Sequence, residues 1–187
     1  MPHLLTISGS LRLGSSNTAL LAAAAHLVTP DVLVTPYTNL AALPAFNPDV
    51  EQGPDPVSDA VTDWRSALAS ADAVLISSPE YAHGVPGVLK NALDWVVGSG
   101  ELVGKPVGLL SASAASAYVH PQLLEILGVM SADLVPGACL VVDIPRRGVD
   151  AMGLVANTEV AAVLRQAVGT LMQVAATRVS HRDRLIG

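Results

Sequence analysis

Five short apolar runs punctuate the chain, at His3–Ser8, Asp31–Pro36, Ala73–Ser78, Pro106–Ser111 and Ala138–Val142, with helix-like stretches between them. Ala73 to Ile76 is apolar at every position rather than alternating, as in a strand buried on both faces. The stretches between have helical spacing. Val57, Val61, Trp64 and Leu68 share one face, and Val88, Leu89, Ala92, Leu93 and Val96 share another. Near the end, Val160, Val163, Leu164, Ala167, Val168, Leu171 and Val174 repeat over several turns. Strands alternating with helices call for right-handed crossovers, so the pattern predicts an α/β fold with a parallel sheet covered on both sides. The 187 residues suit one domain, 1–187. Residues 37 to 56 carry Pro44, Pro48, Gly53, Pro54 and Pro56 and are predicted to be irregular. Arg146 to Gly153 reads as a short linker, and the charged end from about Ser180 is expected to fray.

Between the first strand and first helix lies Ser8-Gly9-Ser10-Leu11-Arg12-Leu13-Gly14-Ser15-Ser16-Asn17-Thr18. Small residues let the backbone bend close to a ligand. The first N–H groups of the helix lack intrahelical partners and favour an anion. Hydroxyls and one arginine add donors. Gly9 and Gly14 have the separation of a P-loop, but Ser15 stands where its lysine belongs, which argues against triphosphate hydrolysis. The dinucleotide fingerprint GxGxxG is absent as well. Two readings remain for the loop: a cradle for a single terminal phosphate, or a serine-rich turn with a helix cap.

A second segment follows the third apolar run: Ser77-Ser78-Pro79-Glu80-Tyr81-Ala82-His83-Gly84-Val85-Pro86-Gly87-Val88-Leu89-Lys90-Asn91-Ala92-Leu93-Asp94-Trp95. With the first loop it closely resembles the NADPH-dependent FMN reductase family, whose pattern is roughly GSLRxGSxN and then PEYNxxxPGxLKNAxDW. Gly104-Lys105-Pro106-Val107 and Leu43-Pro44-Ala45-Phe46-Asn47-Pro48-Asp49 match too, and the resemblance covers most of residues 3 to 170. It implies a flavodoxin-like three-layer sandwich, with a five-stranded parallel sheet of order 2-1-3-4-5 and ligands beyond the carboxyl ends of strands 1 and 3. It implies that Ser10, Arg12, Ser15, Ser16, Asn17 and Thr18 hold the phosphate of FMN. Pro79, Glu80, Tyr81, Ala82 and His83 would edge the flavin ring, with Ser111, Ser113 and Ser116 closing the other side. NADPH or NADH is the implied co-substrate, and a small molecule such as free flavin, a quinone, an azo dye or a metal oxyanion the acceptor. The resemblance also implies a homodimer or homotetramer, with residues 87 to 97 and 40 to 49 at the contact and Trp95 and Phe46 as anchors. Two departures stand out. Ala82 replaces an asparagine common in the family, and Ser111 to Ala117 replaces a glycine-rich loop.

Charge and composition narrow the partners. The net charge is −6 and the ten basic residues are scattered, which argues against nucleic acid. No uninterrupted apolar run reaches the roughly 18 residues of a membrane span. A first strand starting near residue 3 leaves no room for a signal peptide, so a cytoplasmic location is expected. At 51% hydrophobic, the chain has apolar surface to spare for a subunit interface. Cys139 is the only cysteine and reads as a buried small residue rather than a nucleophile. The five histidines have no metal-ligand spacing. Glu80 and Asp94 read as structural carboxylates. No catalytic side chain is needed, because the cofactor carries hydride chemistry. Two functions remain: an FMN-dependent NAD(P)H oxidoreductase, or a flavodoxin-type electron carrier or flavin-binding module. Arg12 and the 79–95 block favour the enzyme.

Overall fold

The computed structural model describes residues 1–144 and 148–186, with side chains through Arg178. Strands β1 (His3–Ser8), β2 (Leu33–Tyr37), β3 (Ala73–Ser77), β4 (Pro106–Ser111) and β5 (Asp133–Val141) form one parallel sheet of order β2-β1-β3-β4-β5. The order implied by the family resemblance is the order found. Every residue of β3 and β4 is buried, which is why their sequences are apolar without alternation.

Successive side chains along a strand point to opposite faces, and the core divides accordingly. Leu5, Ile7, Val74, Ile76 and Val107 pack beneath α3 (Asp59–Ser70), α4 (Gly87–Asp94) and α5 (Val119–Val129). Leu4, Ala73, Leu75 and Leu110 pack beneath α1 (Ser16–His26), α6 (Ala151–Ala156) and α7 (Thr158–Ile186). The predicted face Val61, Trp64 and Leu68 is buried, and the indole nitrogen of Trp64 donates to the Ala92 carbonyl at 2.8 Å, fastening α3 to α4.

Both edge strands depart from the sequence expectation. β2 starts two residues later than predicted and ends at Tyr37, and Pro36 lies in it. β5 starts at Asp133 rather than Ala138 and runs through Pro136 and Gly137. Its pairing with β4 slips between Val107 and Leu109. A proline cannot donate to a ladder, and an edge strand is where that costs least.

Other expectations need correction. Residues 37 to 56 hold a 3-10 turn at Leu40–Ala42 and α2 (Pro48–Glu51), which Asn47 caps by accepting from Asp49 N at 2.9 Å. The expected linker ends in α6, capped by Asp150; its Arg146–Arg147 pair lies outside the described residues. The backbone of α7 stays helical to Ile186, past the point expected to fray. By length and composition, residues 158 to 178 are apolar enough to cross a membrane; here Leu164, Ala167, Val168 and Leu171 are buried against the sheet. Trp95 is not a surface anchor: it is 1% exposed, its indole donates to the Pro44 carbonyl at 2.8 Å, and Phe46 meets it edge-on at 5.2 Å.

Candidate active site

The loop after β1 turns sharply against the loop after β3. Gly9 N donates to the Ser77 carbonyl at 2.8 Å. A Cβ at residue 9 would lie 2.5 Å from Ser78 Oγ, so only glycine allows this approach. Gly14 has φ +69, and beside it the Arg12 guanidinium donates to the Gly14 carbonyl at 3.0 Å. Ser15 is the N-cap residue of α1, yet its side chain makes no capping hydrogen bond. The helix-cap reading therefore fails at the residue that would carry it. The first-turn N–H groups of α1 are left to face an anion. Asn17 is buried, and its Oδ1 accepts from Ser77 Oγ at 2.9 Å, tying α1 to the end of β3.

Three walls enclose a cavity of about 380 Å³. Ser10, Arg12, Ser15, Ser16 and Asn17 form one, Ser78 to Tyr81 the second, and Ala112, Ser113, Ala115 and Ser116 the third. The cavity sits past the carboxyl ends of β1, β3 and β4, at the switch in strand order. Glu80 is structural: its Oε2 accepts from Tyr118 N at 2.8 Å and Val119 N at 3.1 Å, capping α5. Asp94 pairs with Lys90 at 2.6 Å, one turn away on α4.

Nine of the twelve predicted site residues line this cavity; Thr18, Ala82 and His83 do not. Thr18 Oγ1 bonds Ser8 Oγ at 2.9 Å and faces a neighbouring cavity. Ala82 and His83 form the tip of a two-residue turn, with φ of 48° and 59°. Tyr81 N to Gly84 O at 3.1 Å and Gly84 N to Tyr81 O at 3.0 Å close it. The His83 ring stacks on Tyr118 at 4.3 Å, and its carbonyl accepts from Gln122 Nε2 at 3.0 Å. Ser111 also lies off the cavity: it is buried, and its hydroxyl shares a 2.7 Å hydrogen bond with His120 Nδ1. Burial holds the His120 pKa below the usual imidazole value. Burial likewise pushes the Cys139 thiol up, away from thiolate reactivity. The lining residues missed in the sequence are Ser78, Ala112 and Ala115. Ser78 was legible from its place between the third apolar run and Pro79, whereas the alanines carry no side-chain signal.

A parallel sheet in this order, with a hydroxyl-rich anion loop at its switch point, defines the flavodoxin-like class. Residues 2–145 match the family described as NADPH-dependent FMN reductase, and the chain belongs to that family. It is 42% identical over 112 residues to the NAD(P)H-dependent FMN reductase PA1204 of Pseudomonas aeruginosa; the match spans 59% of this chain and 59% of that relative. Over 136 residues it is 33% identical to the quinone reductase of Escherichia coli K12, covering 68% of this chain and 72% of that one. The solved structure of FerB, a flavoenzyme NAD(P)H:(acceptor) oxidoreductase from Paracoccus denitrificans, superposes with TM-score 0.80 at 22% identity, over 95% of this chain and 98% of FerB. At that identity the superposition speaks to the fold.

Proposed function

We propose that the chain is an FMN-dependent NAD(P)H oxidoreductase passing electrons to a small-molecule acceptor such as a quinone or free flavin. The observation that carries this is the convergence of the uncapped α1 N-terminus, Arg12 and four hydroxyl or amide side chains on one wall of a cleft. The opposite walls are loops from β3 and β4. The residues fit FMN: hydroxyl donors and a single guanidinium suit one phosphate, and close approach is secured by Gly9, where a side chain would collide with Ser78. Ser10, Arg12, Ser15, Ser16 and Asn17 would hold the phosphate, and the stretches 78–81 and 112–116 would orient the ring and exclude water. When bound, FMN supplies the hydride chemistry. The names of the Pseudomonas and Escherichia relatives agree with this reading.

The test is anaerobic mixing of the FMN-loaded protein with NADPH while following flavin absorbance. Rapid bleaching is expected. FMN that binds but does not bleach would return the chain to the carrier class. Arg12→Ala with Ser15→Ala should weaken FMN binding by at least about tenfold, since hydrogen bonds to a charged group contribute about 1.5–3 kcal/mol each. We further propose a homodimer through the side bearing Val50 and Val97, which are 48% and 58% exposed. Glu51 lies beside Gly98 there, so the two valines flank one patch. A monomer by light scattering at micromolar concentration would remove that proposal.

A further inference from the structure

The phosphate loop has a second side. Between it, α1 and the edge strand β2 lies a separate cavity of about 470 Å³, within the size range of small-molecule sites. Its walls are mainly apolar: Leu21 and Ala22 from α1, Val34 from β2, and Leu40 from the turn beyond. Leu11 and Leu13, 52% and 97% exposed, form its lip on the loop.

The charged groups of this cavity point to one kind of ligand. The chain carries 16 acidic residues against 10 basic ones, yet no Asp or Glu lines the cavity, while Arg12 and His26 do. Among the described residues no carboxylate pairs with Arg12; the one hydrogen bond of its side chain goes from Nη2 to the Gly14 carbonyl. Tyr37, also on the wall, adds no negative charge. Its hydroxyl donates to Asp63 at 3.0 Å, and burial, helped by Asp63, raises its pKa above the usual phenol range. A cavity with mainly apolar walls, an arginine and no acid among its lining residues is complementary to an apolar anion.

We propose that this cavity is a binding site for an apolar carboxylate, with its hydrocarbon body against Leu21, Ala22 and Val34 and its carboxylate on Arg12. Arg12 also lines the first cleft, where the proposed function gives it to the FMN phosphate, so the test is run with no flavin or nicotinamide added. The probe is 2-naphthoate, with uncharged 2-naphthamide as its control, titrated into the full-length chain and followed by amide chemical shifts. Saturable shifts are expected at Ala22, Ala25 and Val34, with naphthamide binding at least about tenfold more weakly. Ala22→Phe, and separately Ala25→Leu, fill the cavity and should each weaken naphthoate binding by at least about tenfold. Arg12→Gln should bring naphthoate down to the level of naphthamide. Equal affinity for acid and amide overturns the proposal. So do shifts confined to residues 112 to 116, binding undiminished in both filled variants, or no saturation by millimolar concentration. Failure of FMN to bind, by contrast, would overturn the reading of the first cleft and leave this result standing.

Discussion

Gly9→Ala tests whether the phosphate loop is held where the fold puts it. The new methyl carbon would lie 2.5 Å from Ser78 Oγ, 3.0 Å from Ser78 Cβ and 3.0 Å from Leu89 Cδ2. The Oγ contact can be relieved by rotation, at the expense of the hydrogen bond that Ser78 Oγ donates to the Pro79 carbonyl at 3.1 Å. The other two contacts cannot be relieved so simply, because Cβ is fixed by the backbone and Leu89 is fully buried. Nor can residue 9 withdraw without lengthening its 2.8 Å hydrogen bond to Ser77. Overpacking of this kind costs about 1–3 kcal/mol. For a chain of this length each kcal/mol shifts Tm by about 2–4 °C, so the melt should fall by about 2–12 °C. FMN affinity should fall with it, since the same shift moves Ser10 and Arg12. Adding Ser78→Gly removes two of the three colliding atoms, and the double variant should beat the sum of the singles by at least about 0.5 kcal/mol. A Gly9→Ala melt within about 1 °C of the parent, or strict additivity with Ser78→Gly, would refute the close-approach argument.

Three further outcomes are expected. Glu80→Ala should lose about 1–2 kcal/mol in urea unfolding, because Tyr118 N and Val119 N lose their acceptor; Glu80→Gln keeps an acceptor oxygen and should keep NADPH oxidation, whereas its loss would make Glu80 a proton donor. His120 has a pKa lowered by burial, so between that lowered folded value and the unfolded value of about 6.5 the unfolded chain binds more protons and stability rises with pH, then levels; His120→Gln should flatten that slope in urea titrations run across the window, and an unchanged slope would assign it to other groups. Ala82 sits at φ 48°, a conformation that costs an L-residue about 1–2 kcal/mol. Ala82→Gly relieves this against about 0.4–1 kcal/mol of added unfolded-state entropy, for a net gain of up to about 1.6 kcal/mol in a thermal melt; a loss would show the turn to be unstrained.

The central strands were legible because burial on both faces leaves their sequences nothing to encode but apolarity: β1 and β4 match their predicted bounds and β3 ends one residue early. The edges were not, since Pro36 and Pro136 read as breaks although an edge strand tolerates them. In the site, helix geometry sets Thr18 off the cavity that its neighbours line. It follows Asn17 by about 100° of rotation, which turns its hydroxyl from that cavity to Ser8. The turn that carries Ala82 and His83 off the cavity lining was not legible, because two left-handed residues in succession are signalled by asparagine and glycine, not by alanine and histidine. Trp95 carried no local sign of its partner, the Pro44 carbonyl, which lies 51 residues away in sequence.

The three walls of the cleft come from three separate crossovers, and nothing in the sheet alone fixes their spacing. Single polar contacts do so. Asn17 and Gly9 tie the first loop to Ser77 at the end of β3. Glu80 reaches from the second loop to the start of α5, which fixes one end of the 112–118 segment. Asp143 accepts from Ala114 N at 3.2 Å and anchors the middle of that segment to the end of β5. Each contact joins elements distant in sequence, so each is weak evidence when read along the chain and strong when read in space. A cleft tied this way is organised before any ligand arrives, which lowers the ordering cost of binding. It also makes substitutions at Gly9, Asn17 and Glu80 act on one quantity, the separation of the walls, so their effects on ligand affinity should be coupled rather than additive.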